Sequence, residues 1–152
     1  MKLQAINQPD ELDNDKLKRE LNVYEALIVE LDKRELPNET VQWINERTEW
    51  LNKLDPSEKG SAREVRKYRS RILMKLEKEH KLVPKNYYRN LWLSLGLAAF
   101  GVPIGVGFGL SMDNLGLMGI GFPIGMAIGY VLGMSMDKRA AKENRQLNVQ
   151  FQ

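Results

Sequence analysis

The stretches LWLSLGLAAFGVPIGVGFGLSM, residues 91–112, and LGLMGIGFPIGMAIGYVLGMSM, residues 115–136, decide how this chain of 152 residues is to be read. With the two residues between them they hold eleven of its twelve glycines and a single charged residue, Asp113. As helices rising 1.5 Å per residue, each would extend roughly 33 Å, enough to cross the hydrocarbon core of a bilayer once. The expected fold is an all-α membrane protein whose glycine-rich transmembrane helical hairpin occupies 89–137.

The two stretches repeat one another. Gly101-Val102-Pro103-Ile104-Gly105 recurs as Gly121-Phe122-Pro123-Ile124-Gly125, and Gly109-Leu110-Ser111-Met112-Asp113 recurs as Gly133-Met134-Ser135-Met136-Asp137. Between these two matches the offset grows by four residues, about one helical turn. A duplicated helix with a longer second copy accounts for this, and Asp113 and Asn114 form the link.

A mean hydropathy of -0.43 hides the hairpin, because the densely charged residues before it offset its apolar content. Residues 1–88 are expected to form a cytoplasmic helical domain, and 138–152 a basic cytoplasmic tail. Met1 to Asn22 has no apolar run and is rich in Asp and Glu, so no N-terminal targeting segment is expected. Orientation follows from charge. Lys75, Lys78, Lys81, Lys85 and Arg89 precede the first span, and Lys138, Arg139, Lys142 and Arg145 follow the second. The turn between the spans has no Lys or Arg, so both termini are expected in the cytoplasm, in a plasma or inner membrane. Tyr87, Tyr88 and Trp92 fall where an interfacial aromatic belt is expected.

Prolines divide the N-terminal region into three expected helices, at 9–35, 38–54 and 56–83. Leu17, Leu21, Tyr24, Ile28 and Leu31 alternate four and three apart, a coiled-coil-like seam. Val41, Ile44, Thr48 and Leu51 make the second seam, with Asn38 as the expected N-cap and Trp43 and Trp50 as candidate partner contacts. The third seam is Val65, Tyr68, Ile72 and Leu76. Two capping boxes, Asp55-Pro56-Ser57-Glu58 and Ser61-Ala62-Arg63-Glu64, compete for the start of that helix.

Charge is unevenly spread over this region. Residues 1–58 carry eight Lys or Arg against fourteen Asp or Glu, whereas 59–89 carry eleven against three. Arg69, Arg71, Lys75, Lys78, Lys81, Lys85 and Arg89, with Lys138 and Arg139, are expected to face anionic headgroups, at about 1 kcal/mol for each basic residue near the surface. Packing of the basic helix against the acidic first helix explains the same asymmetry. Nucleic acid is not expected as a partner, because no binding motif or aromatic platform accompanies the charge.

Gly101, Gly105 and Gly109 lie four apart, as do Gly121, Gly125, Gly129 and Gly133, so each helix offers a groove without side chains. Close backbone approach is a main source of helix attraction in lipid, where the hydrophobic effect is absent. The expectation is a homo-oligomer packed through these rows; a monomeric hairpin is the alternative. In this motif the chain resembles glycine-zipper membrane proteins, over about a third of its length. That resemblance implies a packing mode shared by channels, pore formers and anchors. The mechanosensitive channel of large conductance is similar in its two spans, cytoplasmic termini and small-residue pore helix. This chain departs from it in its short external turn and in placing the soluble helices before the first span. Pro103 and Pro123, near the middle of each span, are expected to kink the helices by freeing the carbonyls of Ala99 and Gly119.

Catalytic chemistry is sparse. There is no cysteine, the one histidine is His80 on a charged helix, and the glycine-rich stretches follow no strand and carry no P-loop lysine. No catalytic, metal or cofactor-binding residues are expected, and no enzyme activity. Two functions remain. One is a homo-oligomeric channel or membrane-perturbing effector controlled by its cytoplasmic helices, with Ser111 and Asp113 at the outer pore mouth and Ser135 and Asp137 at the inner. The other is a non-conducting membrane anchor or scaffold presenting its helical domain to a soluble cytoplasmic protein. The duplicated hairpin favours the channel, since an anchor needs only one span.

Overall fold

The computed structural model describes residues 2–8 and 14–149. The chain divides into two compact units, Met1–Leu82 with Leu147–Gln152, and Val83–Gln146.

In the first unit, helix α1 spans Asp15–Asp32. Asn14, in extended conformation, starts it by accepting the amides of Lys16 at 3.1 Å and Leu17 at 3.2 Å. The expected start at residue 9 falls on 9–13, outside the described residues, and the extended Asn14 makes Asp15 the first helical residue of α1. Helix α2 spans Asn38–Asn52. Asn38 is its first helical residue and not its cap; Pro37 holds the cap position without a side-chain bond. Helix α3 spans Ser61–His80, starting later than the expected 56. The reason is local: the Asp55 carboxylate accepts both the amide and the hydroxyl of Ser57, closing a turn, and Gly60 at φ 123° redirects the chain. Neither expected capping box forms, since Gly60 is the N-cap and Ser61 donates its hydroxyl to the carbonyls of Asp55 and Glu58. Lys81, left-handed at φ 57°, ends α3 three residues before the expected boundary.

The three seams meet in one core. Tyr24, Leu27, Leu31, Ile44, Ile72 and Leu76 are fully buried. Tyr24 places its hydroxyl 2.9 Å from Thr48 Oγ1, whose own hydrogen goes to the Ile44 carbonyl, and burial pushes the phenol up to about 12. Two further chain segments complete this unit. An extended N-terminal stretch lies along α2, where the amides of Gln4 and Asn7 donate to the side chains of Asn45 and Asn52. From the other end of the chain, Leu147 and Val149 enter the core, and the Asn148 amide donates to the Glu30 carboxylate at 2.9 Å.

The second unit is a hairpin of two helices, each long and apolar enough to cross a membrane, Tyr87–Ser111 and Leu115–Lys142. The first consists of α4 (Tyr87–Gly96), a π-helical turn (Leu97–Gly101) and α5 (Val102–Ser111). The second consists of a 3₁₀ turn (Leu115–Ile120) and α6 (Gly121–Lys142). Both run beyond the apolar stretches at the open end, so residues 138–142, read from the sequence as tail, continue the helix. Asp113 at φ 48° turns the tip. Apart from the helices there is a two-residue ladder of β1 (Val83–Pro84) and β2 (Gln146–Leu147), next to which the Val83 amide donates to the Arg145 carbonyl at 3.0 Å.

Candidate functional site, the apolar helical hairpin

The hairpin is packed inside out compared with a protein core. Its buried positions are Gly96, Gly101, Gly105, Gly109, Gly121, Gly125, Gly129 and Gly133, with Asp137 and Ala140. Its large apolar side chains point away; Leu110, Leu115 and Val131 are 70%, 70% and 66% exposed. A water-facing surface of this kind would be a large apolar patch, whereas hydrocarbon accepts it without cost.

Glycine at the buried positions is a steric requirement. A methyl carbon on Gly96 would lie 2.5 Å from the carbonyl oxygen of Gly125, and one on Gly125 would lie 2.6 Å from that of Gly96. At Gly129 it would overlap the Trp92 carbonyl, at Gly121 the Gly101 carbonyl, and at Gly105 the Met118 carbonyl. Near the open end, Gly133 would meet Arg89 Cα at 2.5 Å. The seven glycines of the two rows therefore lie within the contact between the two helices of one chain. Gly107 and Gly119 differ, with nothing within 4 Å of an added methyl.

The prolines mark changes of helix type. Pro103 is the second residue of α5 and follows the π turn, in which the Val102 amide reaches back to the Leu97 carbonyl. Pro123 is the third residue of α6 and follows the 3₁₀ turn. Each proline lacks the amide that would continue the bonding of the preceding turn, and both sit where the helix changes type within a continuous span. Both prolines lie in the half of their helix nearer the tip.

No family model, curated protein or solved structure matches this chain. Its own geometry carries the reading.

Asp137 is the polar residue that sequence reasoning misplaced. It stands four residues beyond Gly133 and continues the row, where it is 7% exposed. Its carboxylate accepts the amides of Tyr88 at 3.1 Å and Arg89 at 2.9 Å, the first-turn donors of α4. Asn86 precedes that helix without a side-chain cap, so α6 supplies the cap instead. Asp137 thus points into the hairpin and not toward a pore mouth. Ser111 and Asp113 are exposed at the tip, and Ser135 is exposed on α6. The unbroken four-residue period through 137 was the available signal.

The basic residues expected at a membrane surface are not equivalent. In the helical unit Arg69 is 8% exposed and ion-paired with Glu20, which removes it from a headgroup-facing role, and burial holds its guanidinium below the usual range. Lys75 pairs with Glu79 at 2.6 Å, while Arg71, Lys78 and Lys81 are exposed. In the hairpin unit Lys85, Lys138 and Arg139 are exposed, with Arg139 donating to Glu143 at 2.9 Å, and Arg89 is half-buried. Tyr87 and Tyr88 pack edge to face at 5.2 Å beside Arg89. Trp43 is covered by the Arg47 guanidinium at 3.6 Å and Lys75 at 5.3 Å. Trp50 remains 44% exposed and leans on Tyr68, 4.9 Å between centroids. His80 lies between helices, its Nε2 2.9 Å from the Thr40 hydroxyl.

Proposed function

We propose that the chain is a two-span integral membrane protein whose hairpin anchors the helical unit at the cytoplasmic face, where that unit meets a soluble protein partner. The observation that carries this reading is the inside-out packing of the hairpin, with glycine at the helix contact and large apolar side chains on the outer surface. Water would oppose that arrangement and lipid favours it. Return of Leu147 and Val149 to the core of the helical unit supports a chain that crosses twice and comes back to the side from which it entered. The absence of Lys and Arg at the tip favours the cytoplasm for that side. Exposed basic residues then assist attachment to anionic headgroups. Trp50 with Tyr68 is the partner-facing aromatic pair, since Trp43 is already covered by cations of its own unit.

An anchor is favoured over a channel because the glycine rows are taken up within one hairpin. Between Leu95 and Leu110 no outward side chain is polar, and between Leu115 and Met134 the only one is Tyr130. The channel reading keeps one specific support. Gly107 and Gly119 open outward and would admit a second copy.

A topology experiment tests the anchor. Because the Asn114 side chain caps the 3₁₀ turn, Leu115→Cys, 70% exposed, is the better unique thiol at the tip. An impermeant maleimide added to intact cells should label Leu115→Cys and spare Lys142→Cys. Labelling of Lys142→Cys alone reverses the orientation, and labelling of neither before and both after lysis removes the membrane reading.

A further inference from the structure

A cleft of about 510 Å³ opens in the helical unit between the first turns of α1 and α3. Lys16 and Arg19 reach it from α1, Lys59 from the preceding turn, and Arg63 and Arg66 from α3, against one carboxylate among the described residues, Glu20. That carboxylate is already engaged by Arg69. None of the five cations takes part in an ion pair among the described residues, although nine pairs occur away from the cleft and the tenth is that of Glu20 with Arg69. Five like charges around one concavity repel each other and focus a positive potential into it, which an anion relieves. The backbone adds to this field. Gly60 offers no side chain to cap α3, so the positive end of that helix dipole borders the cleft.

We infer that this cleft binds a ligand carrying two or more phosphate groups. Three arginines supply planar forks suited to phosphate oxygens, and two lysines supply point charges. Five positive charges exceed what one phosphate neutralises, so a bisphosphorylated or polyphosphate group is the matching chemistry. A lipid headgroup and a soluble polyphosphate both carry it. The site is separate from the residues assigned above to headgroup attraction; its headgroup source rests on the anchor reading, and its soluble source does not.

The test uses the full chain in nanodiscs of zwitterionic lipid. Tripolyphosphate is titrated by calorimetry, and in a second arm a bisphosphorylated inositol lipid is included and compared with phosphatidylserine at matched charge. Saturable tripolyphosphate binding identifies the soluble source, and a response to the bisphosphorylated lipid alone identifies the headgroup. In either case the pair Arg63→Gln with Arg66→Gln should weaken binding at least about tenfold, while Lys33→Gln with Lys53→Gln, exposed and outside the cleft, should leave it unchanged. Lys16→Gln with Lys59→Gln gives the same loss through two other exposed side chains should the first pair fold poorly. The inference is overturned if neither probe binds, or if the cleft variants bind as the parent does, or if the Lys33, Lys53 control loses as much as they do.

Discussion

Gly125 and Gly107 are both helical glycines in apolar surroundings, and they differ in what a methyl group would meet. Alanine at Gly107 enters open space and gains helix propensity, so Gly107→Ala is expected to be neutral or to stabilise by up to about 1 kcal/mol. At Gly125 the same propensity gain is outweighed by overlap with backbone atoms of Gly101 and Gly96, which cannot rotate aside. Gly125→Ala should lower hairpin stability by about 1–3 kcal/mol, read as a lower melting temperature in detergent. Equal stability of the two variants would mean that the helices do not approach as described. Asp137 gives a second comparison at this scale. Asp137→Ala leaves the Tyr88 and Arg89 amides without their acceptor and should cost about 0.5–2 kcal/mol, whereas Asp137→Asn keeps one oxygen and should lose less. Thermal melts of the two variants in the same detergent decide it; an Ala variant as stable as its parent would show that the amides find another partner.

Among the elements, the return segment 147–149 has the sharpest consequences. Leu147 is fully buried, so Leu147→Ala should destabilise the helical unit by about 2–5 kcal/mol while leaving maleimide labelling at the tip unchanged. Glu30 ties the same segment to α1. The Asn148 amide, ahead of Lys33, holds its carboxyl below the usual range. A lowered folded value means that this contribution is complete above the unfolded carboxylate value of about 4.3 and is lost as pH falls through the folded value. Melting temperature should therefore fall on acidification below about pH 4.3, and Glu30→Gln should show a shallower fall; identical slopes would remove Glu30 as the cause. The seams at 17–31, 41–51 and 65–76 were legible because a helix repeats its inner face every three to four residues. The return segment was not, because its short Leu147, Val149 alternation follows a helix and names no partner. Helix starts were harder still. At 55–61, two cap-like signals competed, and only the turn closed by Asp55 and Gly60 decided between them.

For the whole molecule, assembly is what separates the anchor from the channel. If the rows act within a chain, Gly125→Leu should lower the melting temperature and leave the protein mass in detergent equal to that of the parent. If copies assemble, Gly107→Leu or Gly119→Leu should reduce the mass or abolish ion flux, because those two positions alone among the hairpin glycines face open space. Mass changes in the Gly125 variant but not in the other two would contradict the internal role of the rows. The sequence by itself determined that two apolar helices of membrane-spanning length would be joined by a short turn, since length and composition suffice for that. It also determined that close backbone contact would run along two glycine rows, since a four-residue period aligns positions on one helix face. The partner of each row was decided only by the tertiary structure, because a glycine has no side chain whose size or charge distinguishes a neighbour in the same chain from a second copy. For the same reason the role of Asp137 waited on the fold: the amides that donate to it are defined by where α4 begins, forty-eight and forty-nine residues away, and no local spacing encodes that distance.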